Sequence, residues 1–337
     1  MSEPANPLDG FTVTADDVWF TGTGLNRPEC ILATPDGALR VSDGRGGVTL
    51  IRPDGTQRLI RQQMDDRFIP TVDDTPEGHS EPNGLAFDSD GSLLIANFGM
   101  RRLERMDPDG RTTIVLDTLD GTPLGKANFV MRDRQNRIWL TISTNLGHQR
   151  EALRPTVADG SLVVIDNDGA RVVADGFAFT NECRFDANEE WLYVAETAGR
   201  RITRLRIGDG ARVLAREVFG PANTGGFVDG IAFDAFGNLW GTQIMSDRIF
   251  AITPEGAFRV ILDDDNPAAS AALQEAFERD ALTPNHIQAC GGTLAPFFAS
   301  ITFGGPDLRT VYIGSIKGTR LPAFRSPVAG LPLSHWS

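Results

Sequence analysis

Short apolar runs recur along the chain, and each is cut off by Asp, Gly or Pro. In residues 82–116, the run 84–87 is followed by the polar turn 88–91. A second run (93–96), an Arg-flanked third (102–106), a Pro-Asp-Gly turn (108–110) and a fourth run (112–116) complete the unit. Short β-favouring runs joined by such turns predict antiparallel hairpins. The same plan returns in residues 28–60, 180–214 and 228–262, in a longer copy that starts at Lys126, and in a last copy from Ala299. Four strands per unit, repeated six times, predict an all-β fold. It is a six-bladed β-propeller, four-stranded blades around a central tunnel, forming a single domain over residues 1–337. A ring of blades hides its sheet edges. Its last blade needs chain from the other end, and the less regular first 25 or so residues are the candidate closing strand.

Two segments interrupt the repeat. Residues 143–160 make a long connection inside the third copy. Residues 263–298 separate the fifth and sixth copies, and 266–282 predict a helix there. Asn266 is its cap, Pro267 its first residue, Leu273 and Phe277 share a face, and Thr283-Pro284 is its expected end. An insertion of this kind is expected to cover one face of the disc.

Composition narrows the classes of function. The formal charge of −13 argues against a nucleic-acid partner, which needs a basic footprint. No apolar run is long enough to cross a membrane, and MSEPANPLDG lacks a secretory pattern. Cys30, Cys183 and Cys290 are too few and too scattered for a zinc pattern or a disulfide framework, so a cytoplasmic protein is expected. No Gly-x-Ser-x-Gly elbow, phosphate loop or dinucleotide fingerprint is present. Cys30 and Cys183 read as small buried hydrophobes rather than catalytic thiols.

Innermost strands of a propeller run in one direction, so their first residues converge on one mouth of the tunnel. Those positions are Glu29, Asn83, Asn128, Asn181, Asp229 and Ser300. All are polar although each directly precedes apolar chain. Carboxylate and amide oxygens without cysteine form a donor set for a hard divalent cation, Ca²⁺ before Zn²⁺, Mn²⁺ or Mg²⁺.

At these residues the sequence resembles the gluconolactonase/senescence marker protein (regucalcin) family of six-bladed propellers. The motifs that carry the resemblance are Pro28-Glu29-Cys30, Thr180-Asn181, Val228-Asp229-Gly230 and ITFGGPDLRTVYIGS near the C-terminus. The resemblance implies a metal-dependent hydrolase that opens a sugar or related small lactone at the tunnel mouth. It implies Glu29, Asn181 and Asp229 as metal ligands, with Asn128 a ligand or a substrate contact, and Asn83 and Lys126 on the substrate side. Many members follow the third-blade Asn with Asp, whereas Asn128 precedes Phe129, so a different substrate pocket is expected.

Asp229 is then the candidate base or nucleophile. His79, His148, His286 and His335 are the remaining proton-transfer candidates, each read first as a packing or surface residue. The alternatives are a non-catalytic propeller that binds a ligand or protein, and a strictosidine-synthase-like condensing enzyme.

Overall fold

A computed structural model describes residues 5–68 and 79–336; residues 1–4, 69–78 and 337, included in the single-domain expectation, lie outside the described residues. Six four-stranded antiparallel sheets form six blades. Their innermost strands are Ile31–Ala33, Pro82–Phe87, Ala127–Arg132, Thr180–Phe185, Val228–Phe233 and Phe298–Gly304. Each touches the innermost strands of both neighbouring blades, so the ring closes. Blade 6 (Phe298–Gly304, Thr310–Ser315, Leu321–Arg325) is completed by Trp19–Thr21, with Trp19 opposite Ala323 and Thr21 opposite Leu321. The closing strand expected from the N-terminal segment is therefore present. Among the described residues no helix is long and apolar enough to cross a membrane.

The repeated Asp-rich turns follow a shared geometry. The carbonyls of Asp88, Asp133, Asp186 and Asp234 accept the amides of Gly91, Asn136, Glu189 and Gly237 at 3.0–3.1 Å. The residue that donates has positive φ in each case, from 57° at Glu189 to 102° at Gly237, which explains the Gly and Asn found at three of the four. Asp133 and Asp234 also accept the indole N–H of Trp139 and Trp240, each at 2.8 Å, seating those rings between the sheets.

Helix Pro267–Glu278 forms as expected, with the Asn266 side chain accepting the Ala269 amide at 3.4 Å. Its end differs. The chain turns left-handed at Asp280 (φ 54°), and the Ala281 amide reaches back to the Ala276 carbonyl at 2.8 Å. This left-handed cap stops the helix before Thr283. Thr283-Pro284 instead opens a second short helix, Pro284–Gln288.

Both insertions lie on one face. Leu153 from the blade-3 insertion packs in one apolar cluster with Leu273, Phe277 and Cys290 from the later one, and with Phe98, Phe179, Phe227 and Met245 from the blades. Phe227 and Phe277 meet edge-to-face at 5.0 Å. Arg154 and Asp280 pair across the two insertions, 2.7 Å from Nε to Oδ1.

Candidate active site

Five of the six innermost strands carry a register shift near their start, between Pro82 and Leu85, Ala127 and Val130, Thr180 and Cys183, Val228 and Ile231, and Phe298 and Ile301. A bulge bends a strand and re-aims its side chains. Asn83, Asn128, Asn181, Asp229 and Ser300 each sit inside one of these bulges. In blade 1 the equivalent Glu29-Cys30 step lies just before the strand, and Ser42 Oγ accepts the Cys30 amide at 2.9 Å. Thr141 and Thr242 hold the bulge amides of Phe129 and Gly230 in the same way, at 3.0 and 2.9 Å.

Gly84 and Gly230 make the close approach of these strands possible. A Cβ at Gly230 would lie 2.4 Å from Ser300 Cα, and one at Gly84 would lie 2.5 Å from Phe129 Cα. Glycine directly after Asn83 and after Asp229 is thus a packing requirement of the ring that carries them.

A cavity of about 160 Å³ opens at this mouth. Glu29, Asn83, Asn128, Asn181 and Asp229 all line it. Lys126 and Ser300 do not: the Lys126 ammonium lies over the ring of the lining residue Phe98, 5.2 Å from its centre, and Ser300 Oγ is buried. Sequence reasoning missed Arg27, Glu81, Gln149 and Thr197, which also line the cavity. Arg27 pairs with Glu81 through Nη2 and Oε1. Each stands two residues before a ring position, and at Arg27 the chain is a tight turn: its φ is 48° and the Glu29 amide donates back to its carbonyl at 2.7 Å. Phe179 (φ 60°) and Lys126 occupy the same offset before Asn181 and Asn128.

Burial pushes the Asp229 carboxyl well above its usual range, and the charges of Glu29 and Glu182 push in the same direction; a hydrogen bond from Asn181 opposes them. Burial also raises Glu29, against the Arg27 guanidinium. Glu182 is pushed up to about 7 by burial, partly offset by Arg184, which it meets at 3.3 Å. Simple alternation along blade 4 would turn Glu182 away from Asn181. The bulge turns it toward the tunnel, which is why the sequence pattern did not reveal it.

The oxygens of this mouth are short of partners. Asn181 Nδ2 donates to Thr197 Oγ1 at 3.1 Å, and Thr197 Oγ1 donates to the Val228 carbonyl at 2.7 Å. That leaves Asn181 Oδ1 buried without a hydrogen bond, as are Asn83 Oδ1 and Glu81 Oε2. Buried oxygens without donors, beside two carboxylates that repel one another, match the needs of a hard cation. Among the described residues no cluster of three or more His, Cys, Asp or Glu is arranged to hold a metal.

None of the four histidines lines this cavity. His286 Nδ1 lies 3.0 Å from Thr283 Oγ1 at the start of its helix, and His148 caps Gln149–Ala152 by accepting the Arg150 amide at 3.0 Å. His335 is at the opposite mouth. Cys30 and Cys183 are buried, and burial raises both thiols, Cys183 to about 12.

A family profile described as SMP-30/gluconolactonase/LRE-like region matches residues 112–271, which hold Asn128, Asn181 and Asp229. The match covers a little under half of this six-bladed propeller, which is similar to that family over those residues. It is 28% identical over 166 residues to a 6-deoxy-6-sulfogluconolactonase of Pseudomonas putida, covering 48% of this chain and 46% of the relative. It is 26% identical over 244 residues to a strictosidine synthase-like protein of Arabidopsis thaliana, covering 68% and 64%. The chain thus spans between about half and two thirds of the length of these curated relatives. A solved structure of regucalcin from Agrobacterium tumefaciens, described as a calcium-binding protein, superposes with a TM-score of 0.64 at 14% identity, covering 94% of this chain and 98% of that one. At that identity the superposition speaks for the fold alone.

Proposed function

We propose that the chain is a divalent-metal-dependent lactone hydrolase whose reaction takes place at this mouth. The observation that carries the reading is the convergence of two buried, mutually repelling carboxylates with amide oxygens that lack partners. Lactonase-like relatives support the reaction class. Glu29, Asn181 and Asp229 would hold the cation, with Asn128 beside them. When bound, it supplies Lewis acidity toward the lactone carbonyl and balances the two carboxylates.

The remaining chemistry falls to the chain. Asp229 takes a proton from the water that attacks the carbonyl carbon; the ring C–O bond then breaks, and Asp229 returns that proton to the departing ring oxygen, which leaves as a hydroxyl. Burial and the nearby charge of Glu29 raise the proton affinity of Asp229 in the metal-free site; beside a bound cation it falls again, which keeps the carboxylate unprotonated to act as the base. Asn83 and Asn128 orient the substrate by hydrogen bonds. Lys126 acts through Phe98, holding that ring in place. Phe98, Leu153, Phe179, Ile244, Met245 and Ile316 form an apolar wall that excludes water from the reacting carbonyl.

The enclosed part of the cavity is smaller than the ~300 Å³ at which pockets for drug-sized ligands begin, which suits a single small lactone ring. The test is proton release from a panel of sugar and aliphatic lactones, using EDTA-treated protein and protein with Ca²⁺, Zn²⁺, Mn²⁺ or Mg²⁺ restored. Ring opening that needs the added metal supports the reading. Turnover of a lactone that EDTA leaves unchanged overturns its metal dependence. A protein inert toward every lactone, yet condensing an amine with an aldehyde, would favour the strictosidine-synthase-like alternative, for which the 244-residue match speaks.

A further inference from the structure

The opposite mouth of the tunnel is a different chemical environment. Residues 331–336 cross it as a strap. The Leu331 amide donates to the Phe233 carbonyl at 2.8 Å, and His335 Nε2 lies 2.8 Å from the Ala33 carbonyl. Beneath the strap are two adjoining depressions of about 640 and 760 Å³, which share Phe87, Arg132 and His335. Either is large enough for a metabolite-sized ligand.

Three arginines face this space, and each has a buried N–H without an acceptor: Arg40 Nη1, Arg132 Nε and Arg184 Nε. The Arg132 and Arg184 side chains are only 9% and 8% exposed. A buried donor without a partner costs about 1–3 kcal/mol, so three facing one cleft call for an explanation. The carboxylates around them do not supply the acceptors. Asp88 is held by Arg105 and Arg132 through other nitrogens, and Asp133 by Arg137 and the Trp139 indole. Asp186 accepts backbone amides, Glu189 accepts the Arg134 amide, and Asp36 is held by Thr34 and the Ala38 amide. Arg184 has Glu182 as its one ion-pair partner, and Arg40 makes no ion pair among the described residues.

Two of the three guanidinium groups lie over aromatic rings. Arg40 lies over Phe87 at 4.9 Å and Arg184 over Phe129 at 4.3 Å. Such stacking fixes the planar fork while leaving its edge N–H groups free for a planar acceptor. Leu85, Met131, Phe185 and Trp336 supply apolar surface beside it.

We propose that this mouth is a second ligand site, which binds an organic carboxylate carried on an apolar body. The carboxylate accepts from Arg40 and Arg132, and the body lies against the apolar wall under the strap. The site is independent of the hydrolase reading, because it shares no lining residue with the cavity around Asp229.

The test is calorimetric titration of the full chain with benzoate, with EDTA present so that carboxylate binding to a metal at the other mouth cannot contribute. Inorganic phosphate and benzyl alcohol are the comparison probes. Saturable benzoate binding is expected, with at least about a tenfold weaker dissociation constant in Arg40→Gln and in Arg132→Gln, and no binding of benzyl alcohol. Arg40→Gln, which breaks no ion pair, should melt within a degree or so of wild type and so report binding rather than folding. Absence of saturable benzoate binding overturns the site, as does equal affinity in wild type and both variants. Inorganic phosphate binding as tightly as benzoate overturns the assignment of an apolar body.

Discussion

Replacing Asp229 by Asn separates the stability of the tunnel mouth from its function. The substitution is nearly isosteric and removes a carboxylate that is buried beside Glu29 and Glu182. In metal-free protein that carboxylate, once ionised, is a liability, and replacing buried charges by uncharged groups of similar volume gains about 1–4 kcal/mol. Unfolding entropy of about 2.1 cal/mol/K per residue, over 337 residues, gives roughly 0.7 kcal/mol/K. The variant should therefore melt about 1–6 °C above wild type in EDTA. The gap should narrow as pH falls, because burial raises the affinity of Asp229 for its proton and protonation removes the charge that the variant lacks. Calcium reverses the order. At a hundredfold excess over its dissociation constant it stabilises wild type by about 2.7 kcal/mol, or about 4 °C by the same conversion. The variant should gain less than about a degree, and its lactone turnover should fall by at least about a hundredfold, as expected for loss of a general base. Differential scanning calorimetry with and without EDTA, paired with proton-release assays, reads all of this. A variant that melts several degrees below wild type without metal, or keeps the full calcium shift, refutes the electrostatic account. Near wild-type turnover refutes the catalytic one.

Other changes test the scaffold. Gly230→Ala should cost about 1–3 kcal/mol, seen as a lower melting temperature, because its Cβ would meet Ser300 Cα at 2.4 Å and a backbone atom cannot swing aside. Phe277→Ala should cost about 3–5 kcal/mol and raise KM more than it lowers kcat, since the ring packs on Phe227 beneath the two insertions; an unchanged KM would detach this apolar roof from the site. Arg154→Ala should change stability by less than about 1 kcal/mol, because its pair with Asp280 is solvent-exposed. Metal-free protein should lose stability as pH rises from about 4.5 to about 7, measured by urea unfolding across that range. Glu182 is the clearest source: its folded pKa of about 7 exceeds its unfolded value, so the folded state holds the proton more tightly and that advantage disappears as pH passes 7. Stability that rises across this window would contradict the burial of an uncompensated carboxylate.

The propeller was legible because its signal is repeated. Asp88, Asp133, Asp186 and Asp234 each set the same turn, and four independent copies outweigh the ambiguity of any one short strand. The five cavity-lining ring residues were legible for the same reason, as polar residues at equivalent places where apolar ones would otherwise start a strand. The helix end at 279 was not, because a left-handed Asp280 gives a much weaker sequence signal than Thr-Pro. The larger omission has a geometric cause. Period-two alternation allows one inward side chain at each ring position, but the bulges insert an extra residue and bring in both Asn181 and Glu182. The same irregularity explains the glycines. Where the bulge residue must also let a neighbouring strand pass, as after Asn83 and Asp229, no side chain fits; where more space remains, the position is Phe129 or Glu182. A residue's place in the repeat therefore tells which side chains enter the tunnel, while the size of the residue after it tells how closely two blades approach. Both can be read along the chain, but the second acquires a meaning only once the ring is closed.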